Sequence, residues 1–222
     1  MILTSAGVRA EAGRVVAVCG RNGAGKSTLL EAIVARTGLV SGLLTLGEER
    51  LVHWSPRDLY RAGGWYWPQR GFLSPAWSLD AHASLLPQHE GEKVEERPAQ
   101  LRERLAALGA EPKVVDTPVR SMSTGERRLA EAALMLMARP SIVLADEPMA
   151  GVAPIVAERI GQALVQVARA GAAVVLTSHH WWATEAFADD VAWVTSGSTR
   201  PLGSPAEAAA DFAFRREYLA GS

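Results

Sequence analysis

The nine residues GRNGAGKST, Gly20 to Thr28, constrain the fold more than any other stretch of the 222-residue chain. They match Gly-x-x-x-x-Gly-Lys-Ser/Thr, a spacing that works where a buried strand delivers the loop and a helix leaves it. Both flanks are present. The apolar run Val15 to Cys19 is short and bounded by Gly13 and Gly20, as a buried strand would be. Leu29, Leu30, Ile33 and Val34 then recur at helical spacing until Gly38 stops the pattern. Gly20, Gly23 and Gly25 let backbone N–H groups converge on phosphate oxygens at the positive end of that helix. Lys26 would reach the β and γ phosphates of a nucleotide, and Ser27 would bind Mg2+. The plainer alternative is a glycine-rich turn with a solvated lysine. It fits poorly, because the chain has only three lysines, at positions 26, 93 and 113, against 20 arginines.

A second segment supplies carboxylates. SIVLADEP, residues 141 to 148, is an apolar strand ending in Asp146 and Glu147. Alone, Asp-Glu-Pro is an ordinary polar turn. Beside a phosphate loop it becomes a Walker B strand, with Asp146 holding hydrated Mg2+ and Glu147 orienting or deprotonating the attacking water. Strand-like runs at Ser141–Ala145 and Ala172–Leu176, separated by a helix through Ile155 to Ala168, predict an α/β core with a mainly parallel sheet. SGLLTLGEERL, residues 41 to 51, predicts an antiparallel hairpin with Gly47 at its turn. From about Arg70 to Arg120 five prolines break the chain, and Leu101, Leu105 and Leu108 mark a helix, so an inserted helical sub-lobe is expected there. The tail SPAEAAADFAFRREYLAGS reads as one terminal helix with a Ser-Pro start.

At this length the chain can bury one large core, or a core with a sub-lobe. A net charge of −1 gives no general attraction to nucleic acid or anionic lipid. The single cysteine, Cys19, has no partner for an intrachain disulfide and reads as a buried residue in a reducing compartment. The N-terminus has neither the basic region nor the apolar stretch of a signal peptide, and no 18 consecutive apolar residues occur. A cytoplasmic location is expected, with membrane contact through a partner.

The stretch SMSTGERRLAEAAL, residues 121 to 134, bears two readings. Ser123 and Glu126 form a Ser-x-x-Glu capping box that starts a helix. In the other reading the same turn, with the Ser123 hydroxyl and a close-approach backbone at Gly125 at a helix N-terminus, is half of a nucleotide site. With the motifs before and after it, the chain resembles the ATP-binding subunits of ABC transporters over nearly its whole length. Gln69 in WYWPQ, 43 residues after Lys26, stands where that family has its Q-loop, and Ser123, a further 54 residues on, where it has its Leu-Ser-Gly-Gly-Gln signature. MAGVAP follows Glu147 at the D-loop position, and His179 in TSHH stands at that of the switch histidine. DEPMAGVAP and the tail are most similar to the branched-chain amino acid importer and lipopolysaccharide exporter ATPases within the family.

The resemblance implies a P-loop, RecA-like core at 1–69 and 122–222, with an antiparallel β edge and a helical subdomain at 70–121. It implies ATP and Mg2+ as ligands and hydrolysis coupled to transport. Glu147, His179 and Gln69 would be catalytic, and Ser27, Gln69 and Asp146 would hold the metal. Gly20, Asn22, Gly23, Ala24, Gly25, Lys26, Ser27 and Thr28 would hold the nucleotide, with Ser123 and Gly125 serving ATP bound to the opposite subunit. The implied partners are a second ATPase subunit, identical or homologous, and transmembrane permease subunits at the inner face of the cell membrane. No nucleic acid is expected. For His180 the plainer reading, a loop residue, is preferred.

Three departures stand out. Thr124 replaces the first signature glycine, Ala153 replaces the D-loop aspartate, and residues 1–19 lack the aromatic that stacks on adenine. Trp65, Trp67 and Trp77 are by default core residues, though an exposed Trp77 would favour a groove for a membrane subunit; Trp181 and Trp182 are assigned to packing. Among rival readings, a soluble ABC ATPase of repair or translation would carry coiled-coil insertions or tandem domains. A small-molecule kinase gives no reason for MSTGE. A degenerate subunit beside a more complete homologue is kept open by Thr124 and Ala153, while the intact Lys26, Asp146, Glu147 and His179 argue against inactivity.

Overall fold

The computed structural model describes residues 3–36, 42–51 and 53–221. A six-stranded sheet is built from β1 (Val15–Cys19), β4 (Gly64–Trp67), β5 (Ile142–Asp146), β6 (Ala173–Ser178), β7 (Asp190–Thr195) and β8 (Ser198–Gly203). Its order is β4-β5-β6-β1-β7-β8, with every neighbouring pair parallel except β7 and β8. β2 (Leu44–Leu46) and β3 (Glu49–Leu51) form the expected antiparallel hairpin around Gly47, which takes the left-handed conformation at φ 60°.

The apolar strand runs lack alternation because both faces of the sheet are covered. Val15, Ala17 and Cys19 of β1, Val143 and Ala145 of β5, and Val191 and Trp193 of β7 join one buried cluster. Helices α4 (Arg97–Ala107), α5 (Thr124–Ala138) and α6 (Pro154–Arg169) contribute to that same cluster. The alternate residues, Val16 and Val18, Leu144, and Ala192 and Val194, join a second cluster with α1 (Lys26–Ile33) and α2 (Pro56–Arg61). Successive side chains point to opposite faces, so one continuous apolar run serves both layers.

α1 ends at Ile33 rather than running on to Gly38. Val34 closes the helix and Ala35 turns left-handed at φ 56°; Gly38 itself lies outside the described residues. Between 70 and 121 the chain holds α3 (Leu79–Ser84), α4 and three short 3-10 turns, with no strand. The expected single terminal helix is instead two, α8 (Pro205–Ala210) and α9 (Phe212–Glu217). Asp211 splits them. Its backbone is extended, its carboxylate caps Phe214 N–H at 2.9 Å, and it pairs with Arg200. The break lets Phe214 turn inward to pack on Trp181, Trp193 and Tyr218.

Candidate functional site

The site lies at the C-terminal edge of the sheet because parallel strands release their loops there. Cys19 pairs with Ser178, and Asp146 with Thr177, so Gly20, Glu147 and His179 leave β1, β5 and β6 at one height. Trp67 lies opposite Ala145, which brings Gln69 out at the height of Glu147. Loops far apart in the chain thus leave the sheet along one edge.

Gly20 runs so close to β7 that a Cβ there would sit 2.7 Å from Val194 O. Gly23 and Gly25 take φ of 77° and 105°, the left-handed region that favours glycine. Asn22 and Thr28 are exposed, whereas Ala24 is buried and its N–H closes a turn on Arg21 O at 3.0 Å. The Lys26 ammonium, only 6% exposed, donates to Gly20 O at 2.8 Å and lies 3.7 Å from Glu147 Oε1. Ser27 Oγ donates to Asp146 Oδ1 at 3.0 Å. The other Glu147 oxygen, Oε2, is 2.7 Å from His179 Nδ1. Glu147 is held at φ 47°, a conformation costing about 1–3 kcal/mol for a residue with a side chain.

Oxygen donors 3.0 Å apart on Ser27 and Asp146 suit a hard cation. Among the described residues no cluster of three or more His, Cys, Asp or Glu could cage a metal. That donor set fits Mg2+, which binds through one or two protein oxygens together with substrate phosphates and water.

Thr177 was missed in the sequence. Its hydroxyl, fully buried, donates to Asp146 Oδ1 at 2.7 Å and accepts the Glu147 N–H at 2.9 Å, so it sets both carboxylates. The available signal was a hydroxyl closing an apolar run two residues before His179. Thr177→Val keeps the shape and removes both bonds; we expect a loss of about 2 kcal/mol, read as a Tm lower by roughly 4–8 °C.

Other expected residues sit apart. Gln69 is exposed, and its backbone carbonyl accepts from Arg128 Nη2. Ser123 caps α5 in a complete capping box, with Ser123 N–H on Glu126 Oε2 at 2.7 Å and Glu126 N–H on Ser123 Oγ at 3.2 Å. The Ser123 amide holds the Glu126 carboxyl below the usual carboxylate range, so this bond is lost as pH falls through that lowered value. Thr124 points to solvent. Among the described residues no hydrogen bond or ion pair joins the Ser123–Gly125 turn to the phosphate loop. Burial, with the neighbouring His179, lowers the His180 pKa. Burial pushes the Cys19 thiol up to about 11, in keeping with an inert core residue.

Ala153 is the N-cap of α6 and offers no side-chain acceptor. Ala153→Asp is expected to stabilise the fold by about 1 kcal/mol, a Tm rise of roughly 2–4 °C by calorimetry. Trp67 is fully buried but Trp77 is 48% exposed. Trp181 packs on Phe214 as expected, and Trp182, on the open side of α7 (Trp181–Phe187), packs edge-on against Phe187 at 6.3 Å yet stays 44% exposed. With Met149, Val152, Ile155 and Phe187 it lines a groove of about 750 Å3.

A glycine loop between a central parallel strand and a helix, with a carboxylate pair on a strand of the same sheet, defines a P-loop α/β protein that binds nucleotide. The chain belongs to the ABC transporter family, whose model matches residues 3–150. It is an ABC ATPase cassette. It is 31% identical over 208 residues to the hemin import ATP-binding protein HmuV of Streptomyces coelicolor, covering 93% of this chain and 74% of that one. It is 29% identical over 208 residues to the lipopolysaccharide export system ATP-binding protein LptB of Escherichia coli K12, covering 93% and 86%. It is also 30% identical over 193 residues to ATP-binding cassette sub-family A member 10 of Homo sapiens, of which it spans 12%. A dimeric ATP-binding cassette in a post-hydrolysis state with ADP and Pi shares the fold, with a TM-score of 0.79 at 22% identity over 90% of each chain. No helix among the described residues is long and apolar enough to cross a membrane.

Proposed function

We propose that the chain is the subunit that hydrolyses Mg-ATP to power a membrane transporter, acting in a dimer that sandwiches ATP. One observation carries this reading: Lys26, Ser27, Asp146, Glu147 and His179 converge on one edge, while the Ser123–Gly125 turn stands free of them. A nucleotide gripped by the first group leaves its γ phosphate open to the Ser123 turn of a second chain, identical or homologous. The relatives' names, which include import and export ATP-binding proteins, and the dimeric state of a similar cassette support the same reading.

The residue roles follow from chemistry. Gly20 to Gly25, with Asn22 and Ala24, supply the N–H cradle at the head of α1, and Thr28 begins its exposed face. Lys26 gives up its bond to Gly20 O for the β and γ phosphates. Ser27 and Asp146, with Gln69, would hold Mg2+, which would neutralise phosphate charge. Glu147 is the base for water, and His179, already on its second oxygen, steadies the carboxylate and would contact the γ phosphate. Residues 70–121 are the helical subdomain and 1–69 with 122–222 the core. Trp77, exposed beside α3, would meet a permease subunit at the inner, cytoplasmic face of the membrane. No nucleic acid is involved.

The test is Mg2+-dependent phosphate release by the purified chain, together with an ATP-induced dimer on size exclusion. Absence of both would overturn the reading. Ala153→Asp should also change the Hill coefficient for ATP by restoring a polar group between the two sites. With no aromatic residue in 1–19, a stacking contact of about 1–3 kcal/mol is missing, so GTP should displace labelled ATP nearly as well as ATP does. Strong preference for adenine in that competition would refute this last expectation.

A further inference from the structure

Arg128 and Glu131 lie one turn apart on α5, only 5% and 2% exposed, and no role given so far uses them. Glu131 Oε2 accepts from Arg128 Nη1 at 3.0 Å and from the indole N–H of Trp67 at 2.8 Å. Its other oxygen accepts the N–H of Phe72 at 2.7 Å and, more weakly, that of Leu73 at 3.4 Å. Arg128 in turn donates to Pro68 O at 3.4 Å and to Gln69 O, with its guanidinium 5.8 Å from the centre of the Trp67 ring. Two side chains therefore grip the segment 67–73 at five residues. Between them Gly71 passes so close that a Cβ would sit 2.2 Å from Glu131 Oε1, and its φ of 79° suits glycine alone.

Desolvating two charges is costly, and an apolar pair of similar volume would serve packing as well. What the ion pair adds is direction, since its bonds fix the backbone at Pro68, Gln69, Phe72 and Leu73, and the Trp67 indole, against α5. α5 starts at the Ser123 turn, and the loop it holds contains Gln69. We propose that Arg128 and Glu131 are positioning residues that couple Gln69, at the nucleotide of its own chain, to the Ser123 turn offered to the nucleotide of the other. Displacement at one is transmitted to the other through α5 as a single body. The inference rests on the roles proposed above for Gln69 and Ser123.

Arg128→Lys tests it, because lysine keeps a positive charge beside Glu131 but cannot bond both Glu131 and Gln69 O. In the full chain carrying Glu147→Gln, amide exchange of segments 69–73 and 124–130 is followed as Mg-ATP is titrated. In that parent both segments should gain protection at one midpoint. With Arg128→Lys the two midpoints should separate by about fivefold or more. The double variant Arg128→Met with Glu131→Leu, which keeps an apolar filling, should separate them too. On the hydrolysing background, Arg128→Lys should lower kcat about tenfold with KM for ATP unchanged, measured at a temperature where calorimetry shows the variant fully folded, so that a lost active fraction does not account for the fall. Coincident midpoints in both variants would overturn the coupling. If ATP protects neither segment in the parent, the nucleotide reading itself falls, and the coupling falls with it.

Discussion

Replacing Glu147 with glutamine is expected to lower the rate of ATP hydrolysis by about 10²–10⁴-fold, the range a general base supplies. The change is nearly isosteric. It removes the basic oxygen and leaves the other site groups, including Lys26 and the Ser27–Asp146 pair, in place. Binding should therefore survive while turnover stops, and the ATP-bound dimer should accumulate on size exclusion. Measuring phosphate release and dimer fraction on the same sample separates the outcomes. If the variant keeps most of its activity, Glu147 is not the base; if activity falls and no dimer forms, the sandwich is wrong although the chemistry is right.

The second large effect concerns stability. Arg97, 2% exposed, donates from Nη1 to Ala83 O at 3.0 Å, Ser84 O at 3.1 Å and Leu86 O at 3.0 Å, and from Nη2 to Pro87 O at 3.0 Å. Its Nε is 3.3 Å from Glu92 Oε1. The carbonyls belong to the last turn of α3 and the loop after it; of the four, Ala83 O also accepts the Leu86 N–H at 3.2 Å. Arg97→Met fills similar volume but takes this donor from the Ser84, Leu86 and Pro87 carbonyls and leaves the Glu92 carboxylate, which keeps the His89 N–H at 3.0 Å, without its cation. We expect a loss of about 3–5 kcal/mol, hence a Tm lower by roughly 6–20 °C in thermal unfolding. A fall of less than about 2 °C would mean that water replaces the guanidinium at little cost.

These two residues mark how far the sequence could be read. Glu147 was visible because Asp-Glu after an apolar strand acquires meaning once GRNGAGKST is present elsewhere in the chain. Arg97 looked like any helix-start charge beside Pro98, and nothing local announces that it reaches back to Ala83. Thr177 was hidden similarly, since its partners Asp146 and Glu147 lie about 30 residues earlier on another strand. β4, β7 and β8 carried no expectation at all. Their residues, such as Trp65 or Arg200, read as isolated aromatics or polar tail until strand pairing gives them neighbours.

By itself the sequence determined what short-range chemistry dictates: a glycine loop between strand and helix, a carboxylate pair closing an apolar run, a capping box at Ser123, a hairpin turn at Gly47. Each depends on φ, hydrogen-bond reach or periodicity within about ten residues. The tertiary structure alone decided the sheet order that sets Gly20, Gln69, Glu147 and His179 at one height, the break at Asp211, the exposure of Trp182, and the hold of Arg128 and Glu131 on the 67–73 loop. Those depend on which distant segments share a buried face, and periodicity along a chain carries no record of its partner across the sheet.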